Sequence, residues 1–200
     1  MKLLQKNNYL GPVRTILFIV PAALIFLFSC KDGATPKPRG HFRIDLPEKA
    51  YTQYNSDCPF TFEYPVYGNI VVEPGSAEPC WFNIEFPRYR AKIYLSYKEV
   101  NGNLDLLVDD AYKLAYKHTV KADAIEESYW ENIESRVFGT VYFIKGNAAS
   151  SIQFYVTDST RNYLRGSLYF NAQPDKDSLA PVIDFFSEDV IHLIETLEWK

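Results

Sequence analysis

Histidine, methionine and cysteine are scarce in this 200-residue chain, at three, one and three residues. None of the histidines falls in a recognisable catalytic or metal-binding motif. The chain has no GxSxG elbow, P-loop, HExxH or dinucleotide fingerprint, so the chemistries that those signatures encode have no support in the sequence. Nine glycines and twelve prolines recur without a period, which excludes collagen-like and low-complexity states. An excess of positive charge is lacking too: 21 Lys and Arg stand against 25 Asp and Glu, a net charge of −4. Three of those cations, Lys2, Lys6 and Arg14, lie in an acid-free leader, so the remainder is more acidic still. That is the wrong sign for tracking a phosphate backbone, and no nucleic-acid partner is expected.

What is present is apolar and aromatic: 47% of residues are hydrophobic and 16% are Phe, Trp or Tyr, enough for a packed core in one domain. The amino terminus stands apart. After the basic stretch, residues 16–28 carry no polar side chain and contain Pro21. A membrane span needs about 20 apolar residues to cross about 30 Å of hydrocarbon, so this shorter run reads as the core of a secretory signal. Leu27-Phe28-Ser29-Cys30 follows, with a small residue before a cysteine and a leucine three before it. The pattern resembles a bacterial lipobox, in which the cysteine thiol receives a diacylglyceryl group, the signal is cut just before it and the new amino terminus is usually acylated, with palmitate as a typical acid. Two or more chains anchor a protein stably, at roughly 0.8 kcal/mol per buried methylene. Cys30 is therefore the expected lipid attachment site; a plain secretory signal and an uncleaved anchor are the competing readings. Residues 31–40, KDGATPKPRG, suit an extended spacer. The expected organisation is a lipoprotein signal peptide over 1–29, a flexible tether over 30–41 and a single domain over 42–200.

With Cys30 lipidated, Cys58 and Cys80 remain as a pair in an exported, potentially oxidising compartment, and a disulfide between them is expected. Two buried free thiols are the alternative. Zinc is disfavoured, because His41 is distant in sequence and no CxxC spacing occurs.

The rest of the chain predicts short strands over 60–64, 69–73, 81–86 and 92–97, separated by Pro65, Pro74-Gly75 and Pro87. Ile93, Leu95 and Tyr97 alternate with Lys92, Tyr94 and Ser96, the period-two pattern of a sheet with one solvated side. The period then changes. Leu104, Leu107, Val108, Ala111, Leu114, Ala115 and His118 recur at helical spacing, with Asn101 or Asn103 as cap. Residues 119–132 read only as a helix remnant and a connection. A meander follows over 136–145, 151–157 and 163–170, joined across Gly146-Asn147 and residues 158–161. Ser178 is the expected cap of a last helix with Pro181 in its first turn, and its apolar stripe runs Leu179, Val182, Ile183, Phe186, Val190, Leu193, Ile194 and Leu197. The fold class is α+β, an antiparallel β-sheet packed with helices.

Three sets of residues are weighed for chemistry. His118 reads as a helix-end or core-edge residue, His192 as exposed, and His41 sits at the start of the fold beside Arg39. Asp109-Asp110, Glu126-Glu127 and Asp175 with Asp177 are acidic clusters lacking the glycine-centred loop of an EF-hand, and solvated charges are the better reading. Trp81, Tyr89, Tyr94 and Tyr155 are candidates for one aromatic surface that takes a sugar, against core and sheet packing. The lone strand glycines Gly139 and Gly166 read as bulges or tight packing.

The order of segments is itself informative: the lipobox, then KPRGHFRIDLP over 37–47, CPFTFEYP over 58–65, PCWFNIEFP over 79–87, GNAASSIQFYVTDSTRNYLRGSLYF over 146–170 and the final helix. Together they resemble the gliding motility-associated lipoprotein GldD family of the Bacteroidota, over almost the whole mature chain. The resemblance implies a lipid-anchored accessory protein of the gliding motility and type IX secretion machinery, a non-catalytic scaffold or assembly factor without cofactor. Its partners would be the membrane, through the anchor, and other envelope machinery proteins. Cys30 is the one functional residue it transfers. The element order is also similar to the PsbP and Mog1 type of sandwich, which concerns architecture only. An envelope glycan- or calcium-binding module on the same anchor is the alternative. The domain is expected to face the periplasm, and Lys31 after the cysteine favours the outer over the inner membrane, since an aspartate there retains enterobacterial lipoproteins at the inner one.

Overall fold

Period-two alternation governs the architecture of the computed structural model, which describes residues 44–72, 78 and 80–200. The expected signal over 1–29, the expected tether over 30–41, the first two residues of the expected domain and residue 73 of the second predicted strand lie outside the described residues. Seven strands form an antiparallel sheet: β3 (Asn69–Val71), β4 (Trp81–Phe86), β5 (Ala91–Glu99), β6 (Ala122–Asn132), β7 (Val137–Gly146), β8 (Ser150–Thr157) and β9 (Asn162–Phe170), in the order β3-β4-β5-β9-β8-β7-β6. A smaller sheet pairs β1 (Tyr51–Tyr54) and β10 (Glu198–Trp199) on either side of β2 (Phe60–Pro65). Helix α1 spans Leu104–Tyr116 and α2 spans Lys176–Glu195.

One face of the large sheet is apolar. Phe82, Ile84, Phe86, Ile93, Leu95, Phe154, Val156, Leu164 and Leu168 meet Val182, Phe186, Val190, Leu193 and Ile194 of α2 in a continuous core, with Phe60 and Phe62 of β2 beside them. Each such side chain contributes roughly 1.5–3 kcal/mol on leaving water. The opposite face presents the alternate residues, among them Tyr94, Ser96, Gln153, Tyr163, Arg165 and Ser167, and α1 lies over it through Leu107, Ala111 and Ala115. The Tyr163 hydroxyl donates to the Leu107 carbonyl at 3.0 Å and fixes the helix to that face.

The α+β class and the meander β7-β8-β9 match expectation, and β4 has the predicted bounds. Four details are corrected. Residues 122–132 form an edge strand rather than a helix remnant; its exposure, with Tyr129 bare, frees it from the apolar alternation that marks buried strands. β1 and β10 were not anticipated, being short and held by pairing to β2. Helix α1 ends at Tyr116, and a 3-10 turn over Lys117–Val120 carries His118. Asp175, not Ser178, caps α2, accepting from the Asp177 and Ser178 N–H groups. Pro181 thus lies beyond the first turn, where its missing N–H leaves the Asp177 carbonyl without a helical donor.

Gly139 and Gly166 are sites of close approach. A Cβ on Gly139 would lie 1.9 Å from the Tyr155 carbonyl oxygen, and one on Gly166 would lie 2.2 Å from the Phe154 ring. Cys58 and Cys80 are bonded, with Cα atoms 5.7 Å apart. Closing this loop of 22 residues stabilises the fold by roughly 3 kcal/mol in the chain-entropy treatment.

Asp158 organises the β8–β9 turn. Its Oδ1 accepts from the N–H groups of Thr160, Arg161 and Asn162 at 2.8–2.9 Å, and its Oδ2 accepts from the Asn162 amide at 2.8 Å. Burial opposes ionisation, but these donors outweigh it and hold the carboxyl at about 2, against an ordinary 3.8. Because the folded value is depressed, this stabilisation is complete above pH 3.8 and disappears as pH falls through about 2. Asp158→Asn is therefore expected to flatten the acid limb of stability between those values; an unchanged limb in urea melts across that window contradicts the assignment. Gly166→Ala is expected to cost about 1–3 kcal/mol, because the buried Phe154 ring has to move; thermal denaturation with no loss would show that the sheet accommodates the methyl group.

Candidate functional site

Two places gather polar chemistry. The first is built on α2. Asp189 falls three residues after Phe186 and four before Leu193, so it lies on the buried stripe, and its side chain has 0% exposure. A buried carboxylate is costly unless it is paired and hydrogen-bonded. Here Lys49 Nζ approaches Oδ1 at 2.7 Å, the Tyr51 hydroxyl donates to Oδ1 at 3.0 Å and the Tyr67 hydroxyl donates to Oδ2 at 2.7 Å. Lys49 also donates to the Phe185 carbonyl at 2.6 Å and sits 3.5 Å above the Phe185 ring. Burial first, and then Asp189, push both tyrosine hydroxyls far above their ordinary value, so they act as donors at every physiological pH. The cluster joins the start of the domain, β1, the β2–β3 turn and α2.

His192, one helical turn on, is not free in solvent as the sequence suggested. It lies 2.7 Å from Glu63 Oε2 and stacks on Tyr51 at 3.6 Å between centroids.

The second place is a groove of about 590 Å³ between α1 and the polar face of the sheet. Trp81, Tyr94 and Tyr169 wall it from the strands, Leu107, Ala111 and Leu114 from the helix, and Lys98, Asp110 and Arg165 supply its charges. The Trp81 indole donates to the Tyr97 carbonyl at 2.7 Å, which fixes that wall. Tyr94 and Tyr169 meet edge to face at 5.5 Å. Arg165 Nη2 donates to Gln153 Oε1 at 2.6 Å. His118 stands edge-on to Tyr169 and is pushed below the ordinary histidine value by burial and then by Arg165.

Of the four aromatic residues expected on one surface, Trp81 and Tyr94 line this groove. Tyr155 lies under the helix, stacked on Tyr163, and Tyr89 is on the opposite side, edge-on to Phe186 in the core. The acidic clusters are drawn into local bonds: Asp109 with Lys113, Glu126 with Lys145, Glu127 with the Tyr116 hydroxyl and Asp175 at its helix cap. Cys30 and His41 lie outside the described residues. Sequence reasoning missed Asp189 and Arg165. The signal for Asp189 was present, an acid at a core position of the helical stripe; for Arg165 there was none, since α1 arrives from elsewhere in the chain.

Removing Asp189 takes the shared acceptor from a half-buried ammonium and two half-buried hydroxyls and leaves a hole in the buried stripe of α2. Asp189→Ala is expected to cost about 3–5 kcal/mol, read from urea unfolding midpoints, and a loss below about 1 kcal/mol would mean that the cluster is open to water.

Among solved structures, the chain is similar to the solution structure of cyanobacterial PsbP (CyanoP) from Synechocystis sp. PCC 6803, at 10% identity and a TM-score of 0.47, covering 80% of this chain and 98% of that one. No curated protein matches. No helix among the described residues is long and apolar enough to cross a membrane. The family described as gliding motility lipoprotein GldD matches residues 31–199, beginning at the residue after Cys30 and running through both helices, both sheets and the disulfide, and the chain belongs to that family.

Proposed function

We propose that this protein is a non-catalytic accessory component of the gliding motility machinery and its associated type IX secretion, held in the cell envelope by lipid on Cys30 and acting as scaffold or assembly factor. The observation that carries the reading is the family match, which starts at residue 31, immediately beyond the cysteine of Leu27-Phe28-Ser29-Cys30. The physical chemistry agrees. A protein confined to a membrane meets its partners at raised effective concentration, so modest contact surfaces suffice. The carboxylates that the fold buries are occupied with building it: Asp189 binds Lys49, Tyr51 and Tyr67, and Asp158 closes the β8–β9 turn.

The anchor leads into a reinforced start of the domain. Lys49 and Tyr51 follow the tether closely and are bonded to α2, while β1 pairs with β2 over four residues. Tension on the tether would thus pass into the central helix instead of peeling off a loose end. Lys31 after that cysteine, where an aspartate would favour retention at the inner membrane, supports an outer-membrane location in this reading, with the domain facing the periplasm.

Cys30→Ser is expected to move the protein from the membrane to the soluble periplasmic fraction and to abolish gliding and secretion, while circular dichroism and thermal unfolding of the domain stay unchanged. A soluble variant that restores both activities in a deletion strain would overturn the proposal.

A further inference from the structure

The groove between α1 and the sheet has a charge pattern that folding does not explain. Arg165 projects from β9, paired in register with Ser96 and Tyr155, and is largely withdrawn from water. Its side-chain hydrogen bond goes to a neutral amide, that of Gln153, and among the described residues no carboxylate forms an ion pair with it. A guanidinium in such a place is costly unless an anion meets it, and its planar fork is matched to a carboxylate or phosphate. Gln153, the acceptor of that bond, is 2% exposed, and its Nε2 has no partner among the described residues. Loss of water around Arg165 lowers its proton affinity, the direction expected of a cation without a counter-charge.

The surroundings narrow the anion. Asp110 lines the same groove from the helix, as Lys98 and Arg165 do from the strands. One acid against two cations leaves room for a single negative charge and disfavours a dianion. Trp81, Tyr94, Leu107 and Leu114 give the groove apolar and aromatic walls, with Asn83, Ser96 and Ser167 as neutral polar groups among them. The recess also continues. A second groove of about 520 Å³, between the 3-10 turn after β4 and the end of β9, shares Tyr94 and Tyr169 with the first. An occupant that fills both is therefore elongated, with its charged end at Arg165, apolar and aromatic walls next to it, and the charged side chains of Glu85, Arg90 and Lys92 around its far part.

We propose that this groove receives the carboxy-terminal end of a partner polypeptide, its free carboxylate on Arg165 and its last apolar side chains against Trp81, Tyr94 and Leu114. Capture of a chain end by fixed donors beside a hydrophobic slot is an established mode of peptide recognition. The inference rests on the groove alone and stands whether or not the protein is a scaffold in gliding.

The test is calorimetric titration of the full mature chain in detergent with two probes, acetyl-Ala-Leu-Phe ending in a free carboxylate and the same peptide as its carboxamide. The carboxylate form is expected to bind at least about tenfold more tightly. Arg165→Gln should erase that difference, with circular dichroism showing that the variant stays folded; its amide keeps a donor near Gln153 but carries no charge for the carboxylate. Leu114→Glu, a change on the partly exposed rim, should weaken the carboxylate probe by about tenfold or more through repulsion. Tenfold excess inorganic phosphate should leave the isotherm unchanged. Equal binding of the two probes, no binding of either up to about 1 mM, a discrimination that survives Arg165→Gln, or displacement by phosphate would each overturn the proposal.

Discussion

A carboxylate with no access to water, Asp189, is the constraint around which the domain is arranged. The apolar face of a seven-stranded sheet has to be covered, and α2 does so with one stripe of Val182, Phe186, Val190, Leu193 and Ile194. Covering the helix in turn with β1 and β2 leaves Asp189 inside. Its charge can stay there only while Lys49, Tyr51 and Tyr67 are held within hydrogen-bonding distance. That requirement fixes the start of the domain and the β2–β3 turn to the same helix, and β10 closes on β2 from the end of it. The Cys58–Cys80 bond adds a covalent tie between the segment before β2 and the start of β4.

The two faces of the large sheet then have different fates. The face under α2 is filled with aromatic and branched side chains and has no room for change, to the point that Gly166 touches the Phe154 ring where a methyl group would stand. The face under α1 is polar, and the helix covers only part of it. What the helix leaves bare, between Trp81, Tyr94 and Arg165, is the groove. Stability and recognition are thus assigned to opposite sides of one sheet, so a ligand can be exchanged on one without repacking the other.

Much of this was legible in the sequence. Alternation within 81–86, 151–157 and 163–170 marked the strands and their faces, and the Leu107-Ala111-Ala115 spacing marked α1. The pairing of Cys58 with Cys80 followed from setting Cys30 aside for lipid. The edge strand over 122–132 was not legible, because a strand that is paired on one side and bare to solvent needs no apolar alternation, and its glutamates favour helix in isolation. The cap of α2 was misplaced because Ser178 and Asp175 both suit the role, and only the hydrogen bonds choose Asp175. The groove needed tertiary information altogether: Arg165 alternates with Leu164 and Gly166 as any outward strand residue does, and becomes notable only when α1 comes over that face and closes a groove around it.

Membership of the gliding motility lipoprotein family fits an envelope location, and Cys30 stands one residue before the family match. The central claim is chemical, that the mature chain begins at a lipid-modified cysteine. Mass analysis of the amino-terminal peptide of the protein purified from native membranes tests it most directly. A peptide that starts at Cys30 with a diacylglyceryl group on its sulfur is the predicted result. A chain that keeps Met1, or one whose Cys30 thiol is unmodified, contradicts it.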